Sequence, residues 1–239
     1  MKKIFSPAIS LMNGLSFSYK FIVLGGLSLV ALLTVSVFLI VYLSGAIDKA
    51  NQQLAGLNQA QETSRLIQSL QQHRGISAAV ISGVEESTNK QVLVNIKVDE
   101  NFLKVKKSLP IDLQETSNWS AIVTQWEYLN TQSIPLELAE SFHLHTKLIH
   151  DLNSLQLKIA DYFHLLVIDD LDSHHLINSL MVPLPITLEL LGQARGIGVS
   201  HLANKNIKPT EIITTLLSNV TIPLGIFKEN IHMIESELV

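Results

Sequence analysis

Arginine and glycine recur as a pair in two nearly identical settings, Gln72-His73-Arg74-Gly75-Ile76 and, 121 residues later, Gln193-Ala194-Arg195-Gly196-Ile197. If both segments are helical, steps of four and three residues through Arg74 gather Ile67, Leu70, Ser77 and Ile81 on its face. The same steps through Arg195 gather Leu188, Leu191, Gly198 and Leu202. A guanidinium set into such an apolar stripe must meet an anion, because an unpaired buried charge is costly to desolvate. Two chemistries satisfy it. One is an internal carboxylate, for which Glu62, Asp161 and Glu189 are candidates. The other is a small anion held between two planar guanidinium forks by charge-assisted hydrogen bonds.

The repetition favours a shared anion, and the expected ligand-binding residues are Arg74, Arg195, Gly75 and Gly196. Each glycine gives up about 1 kcal/mol of helix propensity relative to alanine, which suggests that a helix or the ligand comes close there. The other reactive side chains form weaker patterns. His143, His145, His150, His164, His174 and His175 are numerous, but His143 and His145 fall on different helix faces, and no accompanying glutamate completes a zinc-binding signature. Most of them read as surface or edge residues. Asp169, Asp170 and Asp172 lack the glycine and distal glutamate of a calcium loop and read as a turn between helices. No nucleophile, paired carboxylate or phosphate-binding loop stands out, so no enzyme, cofactor or metal is expected.

The elements that must position the arginines are helical throughout. Phe21 to Leu43 is a run of 23 residues without a charge, long enough to cross a bilayer. It lacks the cleavage-site pattern of a signal peptide. Lys2, Lys3 and Lys20 precede it without any acidic residue, which places the N-terminus in the cytoplasm and the chain after Ser44 in the periplasm. From Ser44 to Gly83 the spacing of Ile47, Ala50, Leu54 and Leu57 predicts a long amphipathic helix leaving the membrane, and a stripe of this kind calls for a partner helix in a homodimer.

Further helices are expected over Lys90 to Lys107, over Trp119 to Leu129, and from a start at Ser133 and Pro135 to about Val167. The last of these buries Leu138, Phe142, Leu148, Leu152, Leu155, Ile159 and Phe163. Pro183 and Pro185 open the helix that carries Arg195, which loses definition at Asn204 to Asn206. A last helix begins at Pro209 and Glu211 and is expected to kink at Pro223. No segment has the two-residue alternation of a strand, so the fold class is all-α, an extracytoplasmic helical bundle after one N-terminal transmembrane helix. The 239 residues contain no cysteine, which excludes disulfides and thiolate chemistry. The net charge of -4 with scattered basic residues argues against nucleic acid as a partner.

Gln71 to Ser77, the Phe142 to Leu155 helix, the Asp169 to Leu176 turn, and Leu184-Pro185 leading through Glu189 and Gly192 to Arg195-Gly196 together resemble the helical nitrate- and nitrite-sensing type of sensory domain. The resemblance covers roughly residues 60 to 205. Domains of that kind lie outside the membrane in bacterial chemoreceptors, sensor kinases and cyclic-di-nucleotide enzymes, and arginines from two of their helices meet the anion. The resemblance maps those arginines onto Arg74 and Arg195. Members often carry an acidic residue before the first arginine, where this chain has His73.

The domains expected are a cytoplasmic tail over 1–20, a transmembrane helix over 21–43 and a periplasmic sensory domain over 44–239 that is cut short at its C-terminus or signals through a partner. The implied function is the ligand-input module of a signal-transduction receptor in the bacterial inner membrane. The competing reading is a single-pass membrane scaffold whose arginines sit in structural salt bridges.

Overall fold

The computed structural model describes residues 13–14, 16–115, 117–131, 136–168, 170–203 and 210–237. Every element among them is an α-helix or a connecting turn. The helices are α1 (Phe17–Ile81), α2 (Ser87–Ser108), α3 (Ile111–Gln114), α4 (Ser117–Thr131), α5 (Leu138–Tyr162), α6 (Leu171–Met181), α7 (Pro183–Ala203) and α8 (Thr210–Glu237). The chain divides into two units, residues 1–52 and 53–239.

In the first unit every large apolar side chain from Phe21 to Leu43 is exposed. A helix that is apolar all round and covers none of that surface with protein has the composition of a membrane span. A second stretch, Leu171–Val199, is also long and apolar enough to cross a bilayer. It is divided at Val182 between α6 and α7, and a third of its most apolar window is already buried in protein.

The second unit is built on two clusters of buried side chains. The larger joins Leu66, Ile67 and Leu70 of α1 to Val98, Phe102 and Val105 of α2, to Trp119, Ile122 and Trp126 of α4, and to the stripe Leu148, Leu152, Leu155 and Ile159 of α5. That stripe repeats at four- and three-residue steps, so a single face of α5 supplies the centre of the bundle. The smaller cluster gathers Ala60, Ala160, Leu165, Ile177 and Met181 where α1, α5 and α6 meet. Gly56 permits this junction, since a Cβ there would collide with the Cβ of Phe163.

Several expected boundaries move. The apolar run and the amphipathic segment after it form one continuous helix, as expected, because no proline or capping signal separates them, but other boundaries differ. The helix expected to reach Val167 ends at Tyr162, where the chain turns back through Phe163 to Leu166 with His164 at φ 53°. Its expected start at Ser133 and Pro135 lies outside the described residues. The turn expected over Ile168 to Ser173 contains a helix start. Asp170 caps α6 by accepting a hydrogen bond from the Ser173 amide at 2.9 Å. Pro223 sits inside α8, as expected of a proline within the last helix, while Pro209 and Asn204 to Asn206 lie outside the described residues.

Candidate functional site

Arg74 lies on the inward face of α1 with 2% of its surface exposed, between Leu70 and Ser77 as the helical spacing requires. Its guanidinium donates to both carboxylate oxygens of Glu189 on α7, Nη1 to Oε1 at 2.5 Å and Nη2 to Oε2 at 3.2 Å. Nη1 also donates to Thr146 Oγ1 of α5 at 2.9 Å, and the guanidinium lies over the Phe142 ring, 5.0 Å from its centroid. Glu189 accepts two further hydrogen bonds, from Gln71 Nε2 at 2.9 Å and Gln193 Nε2 at 2.8 Å. This is a two-pronged ion pair with its remaining lone pairs satisfied, and it ties α1, α5 and α7 together. Of the three candidate carboxylates, Glu189 is the one that meets Arg74. Glu62 pairs instead with Arg65, one turn along its own helix.

Arg195 is placed differently. Its side chain is exposed and lines an open cleft of about 840 Å³ between α1 and α7, with α5 and α6 contributing to the lining. Among the described residues no carboxylate lies within ion-pair distance of it. Two residues of the stripe expected around it face the same cleft, Leu188 being 51% exposed and Leu191 42% exposed. The residues of α7 that turn into the bundle are Pro183, Thr187, Glu189 and Gly196. The two arginine segments match in sequence but occupy different registers, one inside the bundle and one on a cleft wall.

The cleft has two unlike walls. Across from Leu184, Leu188, Leu191 and Arg195 stand the polar side chains of α1, among them Asn58, Gln61, Gln68 and Arg65. Asn153 and Gln156 of α5 complete it. Gln156 is 2% exposed, donates through Nε2 to Ser64 Oγ at 3.0 Å, and leaves its Oε1 without a partner.

The glycines also separate. A Cβ on Gly196 would lie 2.9 Å from Phe142 Cε2, so its smallness lets α7 approach the ring beneath Arg74. Gly75 has nothing within 4 Å of its Cβ position, and no close approach explains it. Gly192, of which no close approach was expected, has one: a Cβ on it would lie 3.1 Å from Arg74 Nη2.

Two histidines are central rather than peripheral, contrary to expectation. His73 and His145, each 2% exposed, stack at 4.9 Å between centroids with Nδ1 of His73 2.7 Å from Nε2 of His145. Trp126 meets His73 edge-on at 5.1 Å. Burial lowers both rings from the ordinary 6.5, His73 to about 4 and His145 to about 3. His145 was legible, because it falls on the same stripe as Leu148, Leu152 and Leu155. His143, two residues earlier, is exposed. Among the described residues no three histidine or acidic side chains come together as a metal site.

No protein-family model, curated protein or solved structure matches the chain.

Proposed function

We propose that the protein is a membrane-anchored sensory module, the input part of a bacterial signal-transduction receptor, that takes up an anionic ligand between its two arginine-bearing helices. The observation that carries this reading is the cleft of about 840 Å³ between α1 and α7, with Arg195, a cation that meets no carboxylate among the described residues, on its wall. Arg74 does not act as a second hand on the anion, because Glu189 already fills its fork. It anchors α7 against α1 and so holds the cleft wall in place. A volume of this size suits an organic ligand, since pockets for drug-sized molecules run from about 300 to 1,000 Å³. A bare nitrate or nitrite would leave most of it to water. The ligand that fits is an organic anion whose carboxylate meets Arg195 and whose apolar body covers Leu184, Leu188 and Leu191.

The uncharged run Phe21 to Leu43 supports anchoring in the inner membrane, and the lysines before it support a periplasmic location for the rest. Ile47 at 60% and Leu54 at 58% exposure leave the amphipathic part of α1 free for a second copy, as a receptor homodimer requires. Ligand-linked unfolding of the full chain in nanodiscs tests the site, with nitrate, nitrite and aliphatic carboxylates from acetate to hexanoate as probes. A ligand at 100 times its Kd stabilises the fold by about 2.7 kcal/mol, so hexanoate is expected to raise the midpoint and nitrate to leave it unchanged. No shift with any of these anions would remove the sensory reading.

The Arg74–Glu189 pair favours a second reading, in which the domain is a scaffold for another envelope protein. That reading predicts no anion-linked stabilisation and an unchanged function in an Arg195→Gln variant.

A further inference from the structure

The buried His73–His145 pair belongs to a chain of hydrogen-bonding atoms that runs across three helices. Nδ1 of His145 lies 2.6 Å from the Ser141 carbonyl oxygen, which can only accept, so this nitrogen carries a proton. A neutral His145 then has a bare Nε2, and the 2.7 Å contact to His73 Nδ1 requires the proton to sit on His73 Nδ1. A neutral His73 is left with a bare Nε2, which is buried and has no partner. Asn95 of α2 donates through Nδ2 to Asn130 Oδ1 at 2.9 Å, and its own buried Oδ1 also has no partner. That amide is the hydrogen-bonding group that favours the charged form of His73. From Ser141 O to His73 Nδ1 there are two links, each carrying one proton of the two neutral imidazoles, and the line ends at the bare His73 Nε2.

We propose that His73 and His145 form a binding site for a single proton, taken up on His73 Nε2, the one bare nitrogen of the pair, with the orphaned Asn95 Oδ1 as the acceptor that a side-chain shift brings to it, which makes the junction of α1, α2 and α5 responsive to acid. That proton leaves the tautomer of His145 unchanged, and the Asn95 side chain must turn toward His73 Nε2 to accept from it. A second proton has no acceptor waiting, because His145 Nε2 already receives the His73 proton. The charged groups around the pair define what it feels. Asp99 on α2, which accepts from Trp126 Nε1 at 2.7 Å, favours the charge on His73. Arg74 on α1 opposes a charge on His145, and Glu189 of α7 is engaged with that arginine. Ser77 of α1 and the Trp126 ring of α4 close the remaining sides without charge. The device is independent of any ligand in the cleft.

Nitrogen-15 NMR of histidine-labelled full chain in detergent tests it, with His73→Gln and His145→Gln used for assignment and near-UV circular dichroism recording whether the fold persists. Near neutral pH both rings are expected as the Nδ1–H tautomer, which is the less common one. As the pH falls toward about 4, the value to which His73 is lowered, one ring is expected to become imidazolium while the fold and the second neutral ring remain. Asn95→Asp is expected to move that titration upward by more than one pH unit and Asn95→Leu to move it downward. If the glutamine variants do not fold, the Asn95 pair still identifies the ring, since one histidine shifts in opposite directions. An Nε2–H tautomer on either ring, a pair that charges only as the fold is lost, or a titration indifferent to residue 95 would overturn the proposal.

Discussion

Arg74 and Glu189 are worth more as a pair than as a stabilising contact. Removing one partner leaves the other charge buried without compensation, so Arg74→Ala or Glu189→Ala is expected to cost about 3–5 kcal/mol in denaturant unfolding, and Arg74→Met with Glu189→Met together much less than the sum. The glycines give an opposed pair of expectations. Gly75→Ala should stabilise α1 by up to about 1 kcal/mol, because its Cβ position is open. Gly196→Ala should destabilise, because Phe142 occupies the space. A midpoint for Gly75→Ala at or below that of the natural chain would mean that residue 75 serves something besides helix geometry. Much at this scale was legible: the spacing Ile67, Leu70, Arg74 and Ser77 places the guanidinium inward, and Glu189 is among the acids that could meet it. The exposure of Arg195 was not legible, since which face of α7 turns inward is settled by contacts with α1 and α5 rather than by its own pattern of Leu188 and Leu191.

At the scale of elements, α1 is the helix on which the account depends, because the apolar run, the amphipathic stripe and Arg74 share it without interruption. Its uncharged length and the absence of proline made it readable. Helix α6 was missed, since Leu171 to Met181 is short and begins with Asp172, Ser173, His174 and His175, residues more typical of a turn. The Asp170 cap and burial of Ile177 and Met181 against α1 and α5 override that composition. The same junction depends on Gly56. Gly56→Ala is expected to destabilise by more than the roughly 1 kcal/mol that alanine would otherwise gain in a helix, because Phe163 must be displaced. Hydrogen exchange offers a local check: amides of α6 should lose protection in that variant before those of α2 and α4, whose contacts belong to the other cluster.

For the molecule as a whole, the buried histidines set a dependence on pH. Both have folded pKa values below the ordinary 6.5, so as the pH falls the unfolded chain binds protons first. The stability present above pH 6.5 is therefore lost as the pH falls below it, through His73 until about 4, and through His145, whose ring stays neutral in the folded pair, below that as well. Urea unfolding between pH 7 and 4.5 should show this decline, and a folded His73→Gln/His145→Gln variant should flatten it.

The central claim at this scale is that the cleft between α1 and α7 holds an anion at Arg195. Calorimetric titration of the full chain in nanodiscs with hexanoate, set beside Arg195→Gln, measures that contact alone. A charge-assisted hydrogen bond contributes about 1.5–3 kcal/mol, so the account predicts binding to the natural chain and a loss of about tenfold to a hundredfold in the variant, with the unfolding midpoint unchanged. Equal affinity in the two proteins, or no heat of binding in either, would contradict it.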